Sequence, residues 1–260
     1  MKNSIGVFDS GLGGTSIWKE IKTLLPQEST LYLADSQNAP YGNKSKDEIL
    51  KLSIKNTELL LSKQCKLIVV ACNTATTNAI QYLRENYNVP FIGIEPAIKP
   101  AVLKTKTKKV GVLATKGTLS SALFHNTSKL YTEGIEIIEK EGKGLVELIE
   151  AGQVTSSKMR TLLQSYLQPM LAANIDCLVL GCTHYPYLVP LLKELLPKHI
   201  NIIDSGTAVA KQTRNILKTN DLLNQETDSL VRHKFYTNGD TIILKDFLGL
   251  GQYEVSKLNF

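Results

Sequence analysis

The chain has 260 residues, of which 43% are hydrophobic and 21% charged. At about 150 residues per domain this is one or two domains of ordinary globular composition, which excludes a disordered chain, a collagen or a coiled coil. No apolar run approaches the roughly 20 residues needed to span a bilayer. Residues Met1 to Gly14 show no signal-peptide core or cleavage site, so a soluble, cytoplasmic protein is expected. Thirty Lys+Arg against 24 Asp+Glu give a formal charge of +6. The lysines are scattered, and the densest cluster (Lys99, Lys104, Lys106, Lys108, Lys109) has threonines between and no aromatics to stack on bases. A solvated linker is the expectation there, with no nucleic-acid partner and no membrane.

In chain order, the pattern is strand, loop, helix, repeated. Ser4 to Phe8 reads as a buried strand, Thr15 to Leu25 as a helix stopped by Pro26, and Thr30 to Ala34 as the next strand. The loop Asp35 to Lys44 carries Pro40-Tyr41-Gly42. Ser45 is the expected N-cap of a helix to Ser62, with Glu48 at the capping-box position. Leu67 to Ala71 is apolar without alternation, as in a strand covered on both faces. A helix over Thr74 to Tyr87 and a strand over Pro90 to Ile94 follow. Alternating strands and helices predict an α/β fold with a mainly parallel sheet.

The second half repeats the first. Val110-Gly111-Val112-Leu113-Ala114-Thr115 matches Ile5-Gly6-Val7-Phe8-Asp9-Ser10, and Cys177 to Cys182 parallels Leu67 to Cys72 at a similar offset. Two such matches predict an internal duplication. The expected architecture is two pseudo-symmetric domains, each a mainly parallel sheet flanked by helices, with the active site in the cleft between them. Residues 1–97 plus 207–260 would form the first and 98–206 the second. In the tail, a helix over Thr207 to Lys218, a strand over Lys234 to Thr237 and an apolar segment from Thr241 to Leu250 are assigned to the first.

Three segments sit where α/β folds hold ligands, at the C-terminal ends of strands: Phe8 to Gly14, Ala71 to Ala75 and Gly181 to Pro186. The first fits neither the dinucleotide nor the Walker pattern. Its glycines, Gly11, Gly13 and Gly14, are expected to supply φ > 0 and exposed N–H groups. Asp9 leaves a buried strand into this loop, suiting acid–base work or ammonium recognition. Cys72 and Cys182 each end an apolar strand, followed by Asn73-Thr74 and Thr183-His184. A helix start just beyond each thiol would lower its pKa and bind a carboxylate. Buried structural cysteines are common on strands, but two at matching places in duplicated halves argue otherwise. Cys65 and Cys177 lack that setting and are read as structural. In an extended segment His184 would point the same way as Cys182, and Asp9 would serve Cys72. His125, His199 and His233 are read as surface residues. No thiol or histidine spacing suggests a zinc or thioredoxin-type site, and no cofactor motif is found.

Two thiols facing each other across a cleft suit removal of a proton from one face of a carbon and its return to the other. Together, Phe8 to Gly14, Pro40-Tyr41-Gly42, Ala71 to Ala75 and Gly181 to Pro186 resemble the cofactor-independent aspartate/glutamate racemase family. The resemblance runs from near the N-terminus past Asp204-Ser205-Gly206. It implies interconversion of L- and D-glutamate with Cys72 and Cys182 as the acid/base thiols, no cofactor, and a place in peptidoglycan synthesis. It further implies Asp9, Ser10, Tyr41, Gly42, Asn73, Thr74, Thr183 and His184 around the substrate, with Glu150 as a carboxylate near the site. A homodimer is the assembly it suggests. Open alternatives are a racemase for aspartate or another small acid, a cysteine hydrolase using Cys182 and His184, and a binding module with inert thiols.

Overall fold

The computed structural model describes residues 4–224 and 230–260. The chain order is β1 (Ile5–Asp9), α1 (Thr15–Leu24), β2 (Thr30–Ala34), α2 (Lys46–Ser62), β3 (Leu67–Val70), α3 (Asn73–Asn86) and β4 (Phe91–Gly93). There follow α4 (Ile98–Lys104), β5 (Lys109–Ala114), α5 (Lys116–Leu119), α6 (Ala122–Lys129), β6 (Glu136–Glu141), α7 (Leu145–Glu150), α8 (Ser157–Ala172), β7 (Cys177–Gly181), α9 (Val189–Leu195) and β8 (Asn201–Ile203). The chain ends with α10 (Gly206–Thr219), β9 (His233–Thr237), α11 (Thr241–Leu248) and β10 (Glu254–Lys257).

Two sheets result, ordered β10-β9-β2-β1-β3-β4 and β6-β5-β7-β8. Every pairing in them is parallel. The second sheet repeats the order β2-β1-β3-β4 of the first, down to the register. Ile5 lies beside Leu67 in one, and Val110 beside Cys177 in the other. The central strands β1, β3 and β7 are buried along their whole length, which explains their unbroken apolar runs. The tail strands β9 and β10 extend the first sheet at the β2 edge.

Local chemistry sets the elements. Ser45 Oγ accepts from the Glu48 N–H while Glu48 accepts from the Ser45 N–H, so α2 opens on a complete capping box. Such a cap is worth about 1 kcal/mol. Trp18 of α1 packs edge-on against Phe235 of β9 at 4.8 Å and donates its indole N–H to Thr30 Oγ1 at 2.8 Å. These contacts fasten the tail strand to the N-terminal unit. They also draw His233 inside, where its Nδ1 lies 2.9 Å from Thr30 Oγ1. The surface position expected for His233 is therefore wrong: it is buried, and burial, with Lys22 adding, pushes its pKa down to about 4. Among the described residues, no helix is long and apolar enough to cross a membrane.

Candidate active site

β1 and β3 are neighbours, so Asp9 and the Ala71-Cys72 turn leave the first sheet side by side; β7 delivers Cys182 from the second. Between them is a small cavity of about 10 Å³ lined by Ser10, Pro40, Tyr41, Gly42, Cys72, Asn73, Thr74, Thr115, Val146, Cys182, Thr183 and His184. That is room for about one water molecule, so the walls are closed on one another in this conformation. Every substrate-contacting residue expected from the sequence lines it except Asp9.

Cys72 is the N-cap of α3. Its Sγ accepts from the Ala75 N–H at 3.4 Å and donates to Ser10 Oγ at 3.7 Å. The lowered thiol pKa expected at this helix start is not found. Burial pushes the Cys72 thiol well up, and the nearby Asp9 carboxylate adds to this, outweighing the Ala75 N–H. A low dielectric penalises the thiolate more than one backbone dipole rewards it.

Asp9 is fully buried behind the cavity wall. Its Oδ2 accepts from the Gly14 and Gly11 N–H groups at 3.0 and 3.2 Å, and its Oδ1 from the Thr183 hydroxyl at 3.3 Å. It thus joins the glycine loop to the second sheet, while Ser10, not Asp9, bonds to Cys72. Burial raises its pKa, opposed by His184 and the loop N–H groups.

The glycines serve a different purpose from the one expected. None of Gly11, Gly13 and Gly14 has positive φ. They are needed for close approach: a Cβ on Gly13 would lie 2.2 Å from His184 Nδ1, and one on Gly11 2.0 Å from Glu150 Oε1.

His184 does reach Cys182, with Nδ1 3.7 Å from Sγ. It does so from a helical backbone conformation ahead of a short 3-10 turn, rather than from an extended segment. Its Nε2 lies 2.6 Å from Glu150 Oε1. Burial opposes the imidazolium, but hydrogen bonds to Cys182 and Glu150 and the charge of Asp9 outweigh it, holding the His184 pKa well above its ordinary value. Glu150, the last residue of α7, does not line the cavity. It stands behind His184 and also accepts from the Leu12 N–H at 2.7 Å.

Thr74 Oγ1 lies 2.8 Å from Thr115 Oγ1. The Tyr41 hydroxyl donates to Asp35 Oδ2 at 2.6 Å and accepts from Asn56. Both side-chain polar atoms of Asn73 are buried without a partner. Thr115 was missed as a site residue, although the internal repeat aligns it with Ser10. Val146 carried no signal. Among the described residues, no group of three or more His, Cys, Asp or Glu is arranged to hold a metal.

The profile of the Asp/Glu/Hydantoin racemase family matches residues 5–213. A glutamate racemase from Herpetosiphon aurantiacus is 45% identical over 236 residues, covering 91% of this chain and 92% of that protein. A glutamate racemase structure from Bacillus anthracis superposes with a TM-score of 0.88 at 31% identity, covering 99% and 97% of the two chains. The Escherichia coli glutamate racemase, solved with L-glutamate and the activator UDP-MurNAc-Ala, gives 0.86 at 32% identity, covering 98% of each. With this fold, these two strand-end thiols and these relatives, the chain belongs to the Asp/Glu/Hydantoin racemase family of enzymes.

Proposed function

We propose that the chain interconverts L- and D-glutamate without a cofactor, using Cys72 and Cys182 as acid and base on opposite faces of the substrate α-carbon. The observation that carries this reading is that the two thiols end equivalent strands of matching sheets and line one cavity. The relatives supply the substrate.

The α-proton beside an ionised carboxylate is weakly acidic, so charge moving into that carboxylate must be stabilised as the proton leaves. Ser10, Asn73, Thr74 and Thr183 offer hydroxyl, amide and helix-start N–H donors around the cavity. Removing one preorganised donor typically costs roughly 10²–10³ in rate. The unpartnered Asn73 amide is a group awaiting a ligand, since buried polar groups are rarely left unsatisfied. Burial keeps the Cys72 thiol protonated, and the His184 imidazolium places positive charge beside Cys182 Sγ. In this form Cys182 takes the proton of L-glutamate as a thiolate, and Cys72 donates its own to the opposite face. Turnover leaves Cys182 protonated and Cys72 ionised, the form that accepts D-glutamate. Asp9 holds the glycine loop against Thr183 and thereby sets both faces.

The two lobes of this mechanism are residues 1–97 plus 207–260 and residues 98–206. The product feeds peptidoglycan synthesis in the cytoplasm, and the enzyme acts as a homodimer. Incubation with either enantiomer in D₂O tests the reading: deuterium should enter at the α-carbon as optical rotation decays. Absence of exchange from both enantiomers would sink it.

A further inference from the structure

Glu150 stands between two cavities. On one side its Oε1 meets His184 Nε2 at 2.6 Å. On the other its Oε2 accepts from the Ser36 hydroxyl at 3.0 Å. There a second cavity of about 240 Å³ is lined by Ser36, Gln37, Glu150, Asp240 and Ile243, among others. It shares no lining residue with the cavity between the thiols. The carboxylate lines the outer cavity and backs His184, which lines the inner one; its side chain is 15% exposed against 1% for His184. A carboxylate at such a boundary gains hydration by turning outward. The Ser36 hydroxyl engages the oxygen on the outward side.

Ser36 is itself held. It opens a short 3-10 turn after β2, and the next residue, Gln37, donates its N–H to Asn238 Oδ1 at 2.9 Å. Gly239 packs so closely that a Cβ there would lie 2.6 Å from Ser36 Cβ. The C-terminal segment after β9 therefore fixes the turn that fixes Glu150.

We propose that Ser36 is a positioning residue for the Cys182 half of the reaction: its hydroxyl orients Glu150, Glu150 orients His184, and His184 faces Cys182. The inference rests on the two-thiol reading above. This chain of contacts does not include Cys72, whose hydrogen-bond partners are Ser10 and the Ala75 N–H. Loss of the Ser36 hydroxyl thus acts on one face of the substrate. The charged and titratable groups around His184 are Cys182, Glu150 and Asp9. Without Ser36 the carboxylate keeps the Leu12 N–H on Oε1 but loses its partner on Oε2, which loosens its orientation, weakens the support of the imidazolium and lowers the His184 titration midpoint.

The enantiomers are equally stable in water, so kcat/KM must change equally in both directions for any variant. The asymmetry is therefore sought in isotope effects and in His184 itself. The experiment uses the full chain carrying Ser36→Ala, Ser36→Thr or Gly239→Ala, the last pressing on Ser36 without removing its hydroxyl. His184 is titrated by NMR with labelled histidine in substrate-free enzyme. Primary isotope effects are measured with α-deuterated L- and D-glutamate. Ser36→Ala should lower the His184 midpoint by about half a pH unit and slow racemisation about 3- to 10-fold, the scale of one lost hydrogen bond. It should raise the isotope effect for the enantiomer on the Cys182 face more than for the other. Ser36→Thr should restore both, and Gly239→Ala should lower the midpoint in part. An unchanged His184 midpoint in Ser36→Ala, or equal changes in both isotope effects that Ser36→Thr does not restore, overturns the positioning role. Full racemisation by Cys72→Ala would instead defeat the two-thiol reading, while the His184 titration would still decide whether Ser36 acts on His184.

Discussion

Glu150 Oε1 and His184 Nε2 lie 2.6 Å apart although 34 residues separate them in the chain. The pair joins the end of α7 to the residue two beyond Cys182, and it favours the charged form of a buried imidazole.

This has a pH consequence. The folded-state pKa of His184 is raised, so the stabilisation is complete below its ordinary value near 6.5 and fades as pH rises through the folded value. Melting temperatures of wild type and Glu150→Gln should differ most near pH 6 and converge in the alkaline range. A gap that widened with pH would contradict the charged pair.

The thiols should behave as a complementary set. Cys72→Ala and Cys182→Ala should each lose measurable racemisation, because no proton donor remains on one face. Each should keep slow deuterium wash-in, without inversion, from one enantiomer, and the two should prefer opposite enantiomers. The family resemblance assigns Cys182 to the L-glutamate face. Cys65→Ala and Cys177→Ala should racemise nearly normally. NMR of the substrate in D₂O distinguishes these outcomes, and near-wild-type racemisation by Cys72→Ala would favour a one-base use of Cys182.

Asp9 should trade stability for activity. Burial raises its folded pKa above the ordinary 3.8, so its ionisation costs stability increasingly as pH rises from that value through the raised one. In Asp9→Asn the amide oxygen keeps the Gly11 and Gly14 N–H groups and the amide nitrogen donates to Thr183. The variant should melt at the same or higher temperature at neutral pH. Because Asp9 bonds to the glycine loop and Thr183 rather than to Cys72, the variant should lose rate and raise the isotope effects for both enantiomers, whereas His184→Asn should act more on L-glutamate. A lower melting temperature would show that the charge is needed for folding.

Asn73 should matter to the substrate more than to the fold. Its side-chain amide makes no hydrogen bond to the rest of the protein, so Asn73→Ala should change the melting temperature of free enzyme little. Racemisation should fall about 10²–10³-fold if the amide stabilises the developing charge. The stabilisation of the protein by added glutamate, read by calorimetry, should shrink in parallel. An undiminished glutamate effect would remove Asn73 from the site.

Much of this was legible along the chain. The buried central strands announce themselves as apolar runs, the Ser45–Glu48 capping box marks the start of α2, and the repeated strand with its terminal cysteine locates both thiols. These signals are local: periodicity and capping depend on neighbours within a few residues. The edge strands β6 and β10 were not legible, because Glu136 to Glu141 and Glu254 to Lys257 carry the charged residues that an exposed sheet edge favours. Nor was the apolar segment at Thr241 resolved as a helix until its Asp240 cap was seen to accept from the Ile242 N–H. The tertiary structure alone decided that the glycines admit His184 and Glu150 rather than supply positive φ, that His233 lies inside, and that burial drives the Cys72 thiol up. Each depends on which distant groups meet and how much water remains between them, and the one-dimensional pattern records neither.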